Sequence, residues 1–190
     1  MSHSSQGEDS AATHRALHAQ LGREPRGVRE IGHWCPCGLP DVVTTEPRLP
    51  DGTPFPTTYY LTCPRAAAMI GTLEGDGAMR EMQDRLTEEP GLAEAYAEAH
   101  RRYLEARAAL GEVPEIAGIS AGGMPDRVKC LHVLAGQSLA QGPGVNPLGD
   151  EVLARLGAWW AAGPCVTVPA ADAEAAAAAA SGLVEERDDD

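Results

Sequence analysis

The sequence predicts an α+β fold: a small antiparallel sheet near the N-terminus packed against a helical bulk. Three observations carry this. The β-branched and aromatic runs with turn residues between them fall between residues 28 and 62. After Cys63 the apolar residues recur at helical spacing. Hydrophobic residues make up 43% of the chain but aromatics only 4%, so the core is built mostly from Ala, Leu and Val.

Element by element, residues 13–21 place Ala16, Leu17 and Leu21 on one side of a short helix that Gly22 and Gly27 end. Residues 28–33 and 41–45 read as strands on either side of the turn Cys35-Pro36-Cys37-Gly38-Leu39-Pro40. Residues 46–56 carry four prolines and an Asp51-Gly52 turn, a loop before the third strand at 57–62. Pro64 suits a first helical position, so a helix follows Cys63 and ends at the glycines 75–77. Residues 78–87 form another helix, and residues 90–110 the longest, with Leu92, Ala95, Tyr96, Ala99, Tyr103 and Ala106 along one face and Gly111 as the stop. A Gly-rich connection at 112–124 precedes a helix expected over 125–140. Asn146-Pro147 then caps a helix expected to reach about residue 161, with 165–168 as an edge strand.

The 190 residues suit one domain. The reading is a disordered tail at 1–12, one domain at 13–169, and an Ala-rich acidic tail at 170–190 holding seven acids and one Arg. The net charge of −13 argues against a nucleic-acid binder, which needs a basic footprint. The polar start does not resemble a secretory signal, and no apolar run is long enough to span a membrane. A cytoplasmic protein is expected, with a protein partner left open and the acidic tail as a docking or solubilising arm.

The chemistry rests on five cysteines, Cys35, Cys37, Cys63, Cys130 and Cys165, with His33 and His132 nearby. In a reducing compartment these point to a metal site, buried inert thiols or a reactive thiol, and all three readings stay open. The Cys35-Pro36-Cys37 turn can wrap an ion. Cys63 falls at a strand-to-helix junction, where the helix dipole favours thiolate. Cys130 and His132 are two apart, about 200° around a regular helix, so one ion takes both only if that helix starts later than residue 125. For an enzyme, Cys63 or Cys130 is the nucleophile and Lys129, His132 or Arg127 assists.

Other motifs fail on context. Gly118-Ile119-Ser120-Ala121-Gly122 fits the nucleophile elbow of hydrolases, but Gly122-Gly123-Met124-Pro125 delays the helix that must follow the serine. No P-loop is present. No cysteine is followed by Arg at the cysteine-phosphatase spacing.

Four strings in order, Cys35-Pro36-Cys37-Gly38-Leu39-Pro40, Pro54 to Pro64, Arg127-Val128-Lys129-Cys130-Leu131-His132 and Asn146-Pro147-Leu148-Gly149, resemble the uncharacterised bacterial family known as domain of unknown function 501, over about residues 19–166. The resemblance implies no activity. It implies genes encoded beside a septum-formation initiator and an exopolyphosphatase, hence a link to division, the envelope or phosphate metabolism. It also implies that Cys35, Cys63, Cys130, Cys165 and His132 belong to the family pattern and that Cys37 matters less. The expected metal ligands are therefore Cys35, Cys63, Cys130 and Cys165, with Cys37 and His132 secondary, holding zinc or an iron–sulfur cluster.

Deleting residues 170–190 should leave the thermal midpoint nearly unchanged, because the segment offers alanine and charge but little large apolar surface. A large drop in a melting curve would show that it docks.

Overall fold

The computed structural model describes residues 3–170, with side chains from residue 10 onward. Helix α1 (His3–Leu21) is followed by β1 (Val28–Trp34), β2 (Pro40–Thr45) and β3 (Tyr59–Leu61), which form one antiparallel sheet in the order β1-β2-β3. Five further helices follow: α2 (Pro64–Gly75), α3 (Ala78–Glu88), α4 (Pro90–Leu110), α5 (Leu131–Gln141) and α6 (Pro147–Leu156), with a 3-10 turn at Pro114–Ile116. The expected α+β architecture is present. Of the acidic tail expected at 170–190, all but Ala170 lies outside the described residues.

Central strand β2 is buried along its whole length, as a strand covered on both faces must be. Val43 stands opposite Ile31 on β1 and Tyr60 on β3, while Thr44 faces Glu30 and Tyr59. One face of the sheet packs on α5. A Cβ at Gly32 would lie 3.2 Å from Thr44 and 3.4 Å from Ala140, and a Cβ at Gly136 would lie 2.9 Å from the Tyr59 carbonyl oxygen. Two small residues thus let strand and helix approach backbone to side chain. Tyr59 meets Tyr103 of α4 edge to face, with ring centroids 5.5 Å apart.

The chain departs from expectation at four places. Helix α1 starts upstream of residue 13, at His3. Helix α5 starts at Leu131, not at 125, and residues 125–130 form a turn and an extended approach. Helix α6 stops at Leu156, not near 161, because Gly157 takes φ 61°, a conformation that favours glycine. Residues 165–168 form no strand; Arg65 of α2 instead holds the segment just ahead of them through the carbonyls of Trp159, Gly163 and Pro164.

Helix α5 lies at the centre, touching all three strands, α2 and α6. Its Leu131 and Leu134 are wholly buried beside Ile70, Met82, Tyr96, Leu148 and Val152. A buried amide chain ties it to its neighbours. Asn146 caps α6 by accepting the Gly149 N–H at 3.0 Å and donates to Gln137 Oε1 at 2.9 Å, and Gln137 Nε2 donates to the Ala99 carbonyl of α4 at 2.8 Å. Partnered in this way, polar groups at the core help fix one register of three helices.

The α5–α6 crossing is tightest at Gly149, where a Cβ would lie 2.2 Å from the Leu134 carbonyl oxygen. Backbone cannot yield as a flexible side chain does. Gly149→Ala should cost about 3 kcal/mol in denaturant unfolding. An unchanged midpoint would mean the two helices slide apart freely.

Candidate metal centre

The late start of α5 creates the site. Cys130 is its N-cap, with an extended backbone (φ −156°, ψ 110°), and His132 lies in the first turn. The half-turn that separates two such residues within a helix does not apply across a cap, and Cys130 Sγ comes within 3.8 Å of His132 Nδ1. Glu74, from the last turn of α2, completes the group. Its Oε1 accepts the Leu131 N–H at 2.7 Å and lies 3.2 Å from His132 Nδ1. Among the described residues these three form the one set of His, Cys, Asp or Glu whose ligand atoms all lie within 4.8 Å of one another. All three are half-buried.

The other ring nitrogen settles the tautomer. His132 Nε2 is 3.1 Å from the Ala67 carbonyl, which only accepts, so Nε2 carries hydrogen. Nδ1 then faces a thiol and a carboxylate, an arrangement that a proton or a metal ion can bridge. With the proton there, the hydrogen bond to Cys130, together with Glu74 and against the opposing effect of burial, lifts His132 to about 9. Burial pushes the Cys130 thiol up. Its hydrogen bond with His132 and the Val133 amide outweigh that and hold it below the ordinary thiol value.

The remaining sequence candidates lie elsewhere. Cys63 caps α2, its sulfur 3.5 Å from the Ala66 N–H, and sits beside Cys165, to which Gln20 Nε2 donates at 3.3 Å. Cys35 lies beside Cys37 and Asp41 in the β1–β2 turn. Among the described residues no three of Cys35, Cys63, Cys130 and Cys165 bring their sulfurs within 4.8 Å of one another: Cys63 pairs with Cys165, Cys35 lies beside Cys37, and Cys130 stands with His132 and Glu74. The expected helix-dipole activation of Cys63 is outweighed by burial, which pushes its thiol up to about 11; burial takes Cys35 to about 12. Arg127 and Lys129 are exposed on the approach to α5. Ser120 contacts His100 Nδ1 at 3.0 Å, but the following helix begins only at Leu131, so the nucleophile-elbow geometry is absent.

Glu74 was not legible as a ligand in the sequence. One signal was available: a carboxylate in the last turn of a helix opposes the dipole there. Here it serves the opposite end of another helix, where negative charge is favoured.

What the structure brings together is a cluster of one Cys, one His and one Glu on an α+β scaffold. The chain belongs to the family described as Protein of unknown function (DUF501), whose model matches residues 31–154, about two thirds of the sequence. The match takes in Glu74, Cys130 and His132 and leaves out Cys165. No curated protein and no solved structure matches the chain.

Asp41 yields a pH prediction. It is wholly buried, 2.6 Å from His33 Nδ1 through Oδ1, while Oδ2 has no hydrogen-bond partner. Burial raises its pKa above 3.8, against the lowering effect of His33. The fold thus favours the protonated acid: the stabilisation is present below 3.8 and is lost as pH rises through the folded value. Asp41→Asn should gain on the wild type in urea-unfolding free energy as pH rises from 4 toward neutral; a gap constant with pH would remove Asp41 from the acid response.

Proposed function

We propose that the protein binds one zinc ion through Cys130 Sγ, His132 Nδ1 and a Glu74 carboxylate oxygen, with a fourth position open to water or substrate. The observation that carries this is the donor spacing. Zinc bonds of about 2.3 Å to sulfur and about 2.0–2.1 Å to nitrogen or oxygen give tetrahedral edges of about 3.6 Å (S to N) and about 3.4 Å (N to O). The edges here are 3.8 and 3.2 Å. The His132 Nε2–H bond to Ala67 is the kind of outer contact that orients a metal-bound imidazole.

A single thiolate at the centre suits zinc and not an iron–sulfur cluster, which needs several. Three protein ligands with a position left over are the pattern of catalytic zinc, which activates a bound water for hydrolysis. The reading is thus a cytoplasmic metalloprotein of hydrolytic type. Its five free cysteines suit a reducing compartment. The lowered Cys130 thiol favours a second reading, in which Cys130 is itself a nucleophile with His132 beside it.

Elemental analysis of the purified protein should find about one zinc per chain. Glu74→Gln, Cys130→Ser and His132→Ala should each lower occupancy at least tenfold, while Cys35→Ser and Cys165→Ser should keep it. Zinc must displace the proton that His132 holds below about 9. Calorimetry in buffers of different ionisation enthalpy at neutral pH should therefore report proton release, from His132 and from whatever fraction of Cys130 is still a thiol, with affinity rising as pH rises toward 9. A well-folded protein that takes up no zinc, with Cys130 alkylated faster than its other thiols, would establish the nucleophile reading instead.

A further inference from the structure

Val43, Thr45 and Tyr60 line the sheet face that does not pack on α5, because side chains alternate along a strand and Val42, Thr44 and Tyr59 take the α5 side. The end of α1 and the loop at 46–56 cover that outer face over β2, where Val43 and Thr45 are only 2% and 3% exposed, and leave Tyr60 of β3 partly open. Between them lies a cleft of about 350 Å³, with Leu21, Val28, Leu49 and Phe55 among its walls. We propose that this cleft binds a small amphipathic carboxylate, its aryl or medium-chain acyl body on Leu49, Phe55 and Tyr60 and its carboxylate on Arg23 and Arg26.

Three observations converge. The volume falls in the range of small-molecule sites, and the walls are apolar with few polar groups. The chain has one Phe and four Tyr, and it spends its Phe and one Tyr here, each half-buried, where a core would have enclosed them. The cations at the rim are free to take an anion. Among the described residues, neither Arg23 nor Arg26 is in an ion pair, a property they share with Arg15, Arg65, Arg80, Arg107 and Arg127, and they alone of these stand at the cleft. Arg23 donates only to the Glu24 carbonyl, at 3.3 Å. Arg26 feels Asp51 through charge alone.

On a chain of net charge −13, an anion is held only where guanidinium groups are concentrated. The cleft thus matches a ligand with one apolar and one anionic end, and it rejects the cationic counterpart of the same shape. The proposal does not depend on the zinc centre, which uses none of these residues.

The probe is the aromatic sulfonate 8-anilinonaphthalene-1-sulfonate, added to the full chain. Its fluorescence should rise saturably with one site per chain. Decanoate should displace it, and decyltrimethylammonium should not. The double variant Arg23→Gln/Arg26→Gln should bind it at least about tenfold more weakly, the scale of losing charge-assisted hydrogen bonds. Arg80→Gln, an exposed change on α3, should bind it as the wild type does. Rising ionic strength should weaken wild-type binding, which keeps the test open if the double variant folds poorly. Absence of saturable binding, equal displacement by the cationic surfactant, or a folded double variant with unchanged affinity would each overturn the proposal.

Discussion

Helix α5 begins where a carboxylate from another helix allows it to begin. Its first N–H groups have no partner within the helix. Glu74 supplies one, accepting Leu131 N–H at 2.7 Å, and brings negative charge to the positive end of the α5 dipole. The same oxygen lies 3.2 Å from His132, so one contact sets the helix register, aims the imidazole and brings Cys130 into reach. A start at residue 125 would have put Cys130 and His132 on opposite faces, and no centre would exist.

That arrangement needs α5 to be immobile. The small residues Gly32, Gly136 and Gly149 let strands and α6 approach the helix closely, and the Asn146–Gln137–Ala99 chain fastens its far half. Gln83 does similar work ahead of the cap, accepting Val128 N–H and donating to the Asp126 carbonyl, while Tyr96 donates its hydroxyl hydrogen to the Arg127 carbonyl. The approach to Cys130 is thus pinned from α3 and α4. Side chains held this way are set in place in advance, which lowers the ordering cost of binding at the proposed site.

The loop at 112–124 is held differently. Arg107, only 6% exposed, turns its guanidinium to the carbonyls of Pro56, Ile116 and Ile119. A buried cation satisfied by carbonyl oxygens is costly unless every donor finds a partner, and here it links a Gly-rich connection to the proline-rich loop before β3. The glycines of Gly118-Ile119-Ser120-Ala121-Gly122 serve that turn: Gly118 and Gly122 take φ 71° and 75°. The motif is a piece of loop packing that imitates a nucleophile elbow.

The sequence by itself determined the class of fold, the three strands, helices α2 to α4 and the caps at Cys63 and Asn146, because period, β-branching and proline position are local. It also marked Cys130 and His132. It misplaced the start of α5, since the residues ahead of Leu131 carry helical apolar spacing and nothing local says that a distant Glu74 will cap the helix later. It gathered the cysteines by type, and type does not report distance: Cys63 joins Cys165, Cys35 joins Cys37, and Cys130 joins none of them. Only the tertiary structure decided the donor set, because the meeting of the C-terminal end of α2 with the N-terminal end of α5 is fixed by packing across 57 residues of chain.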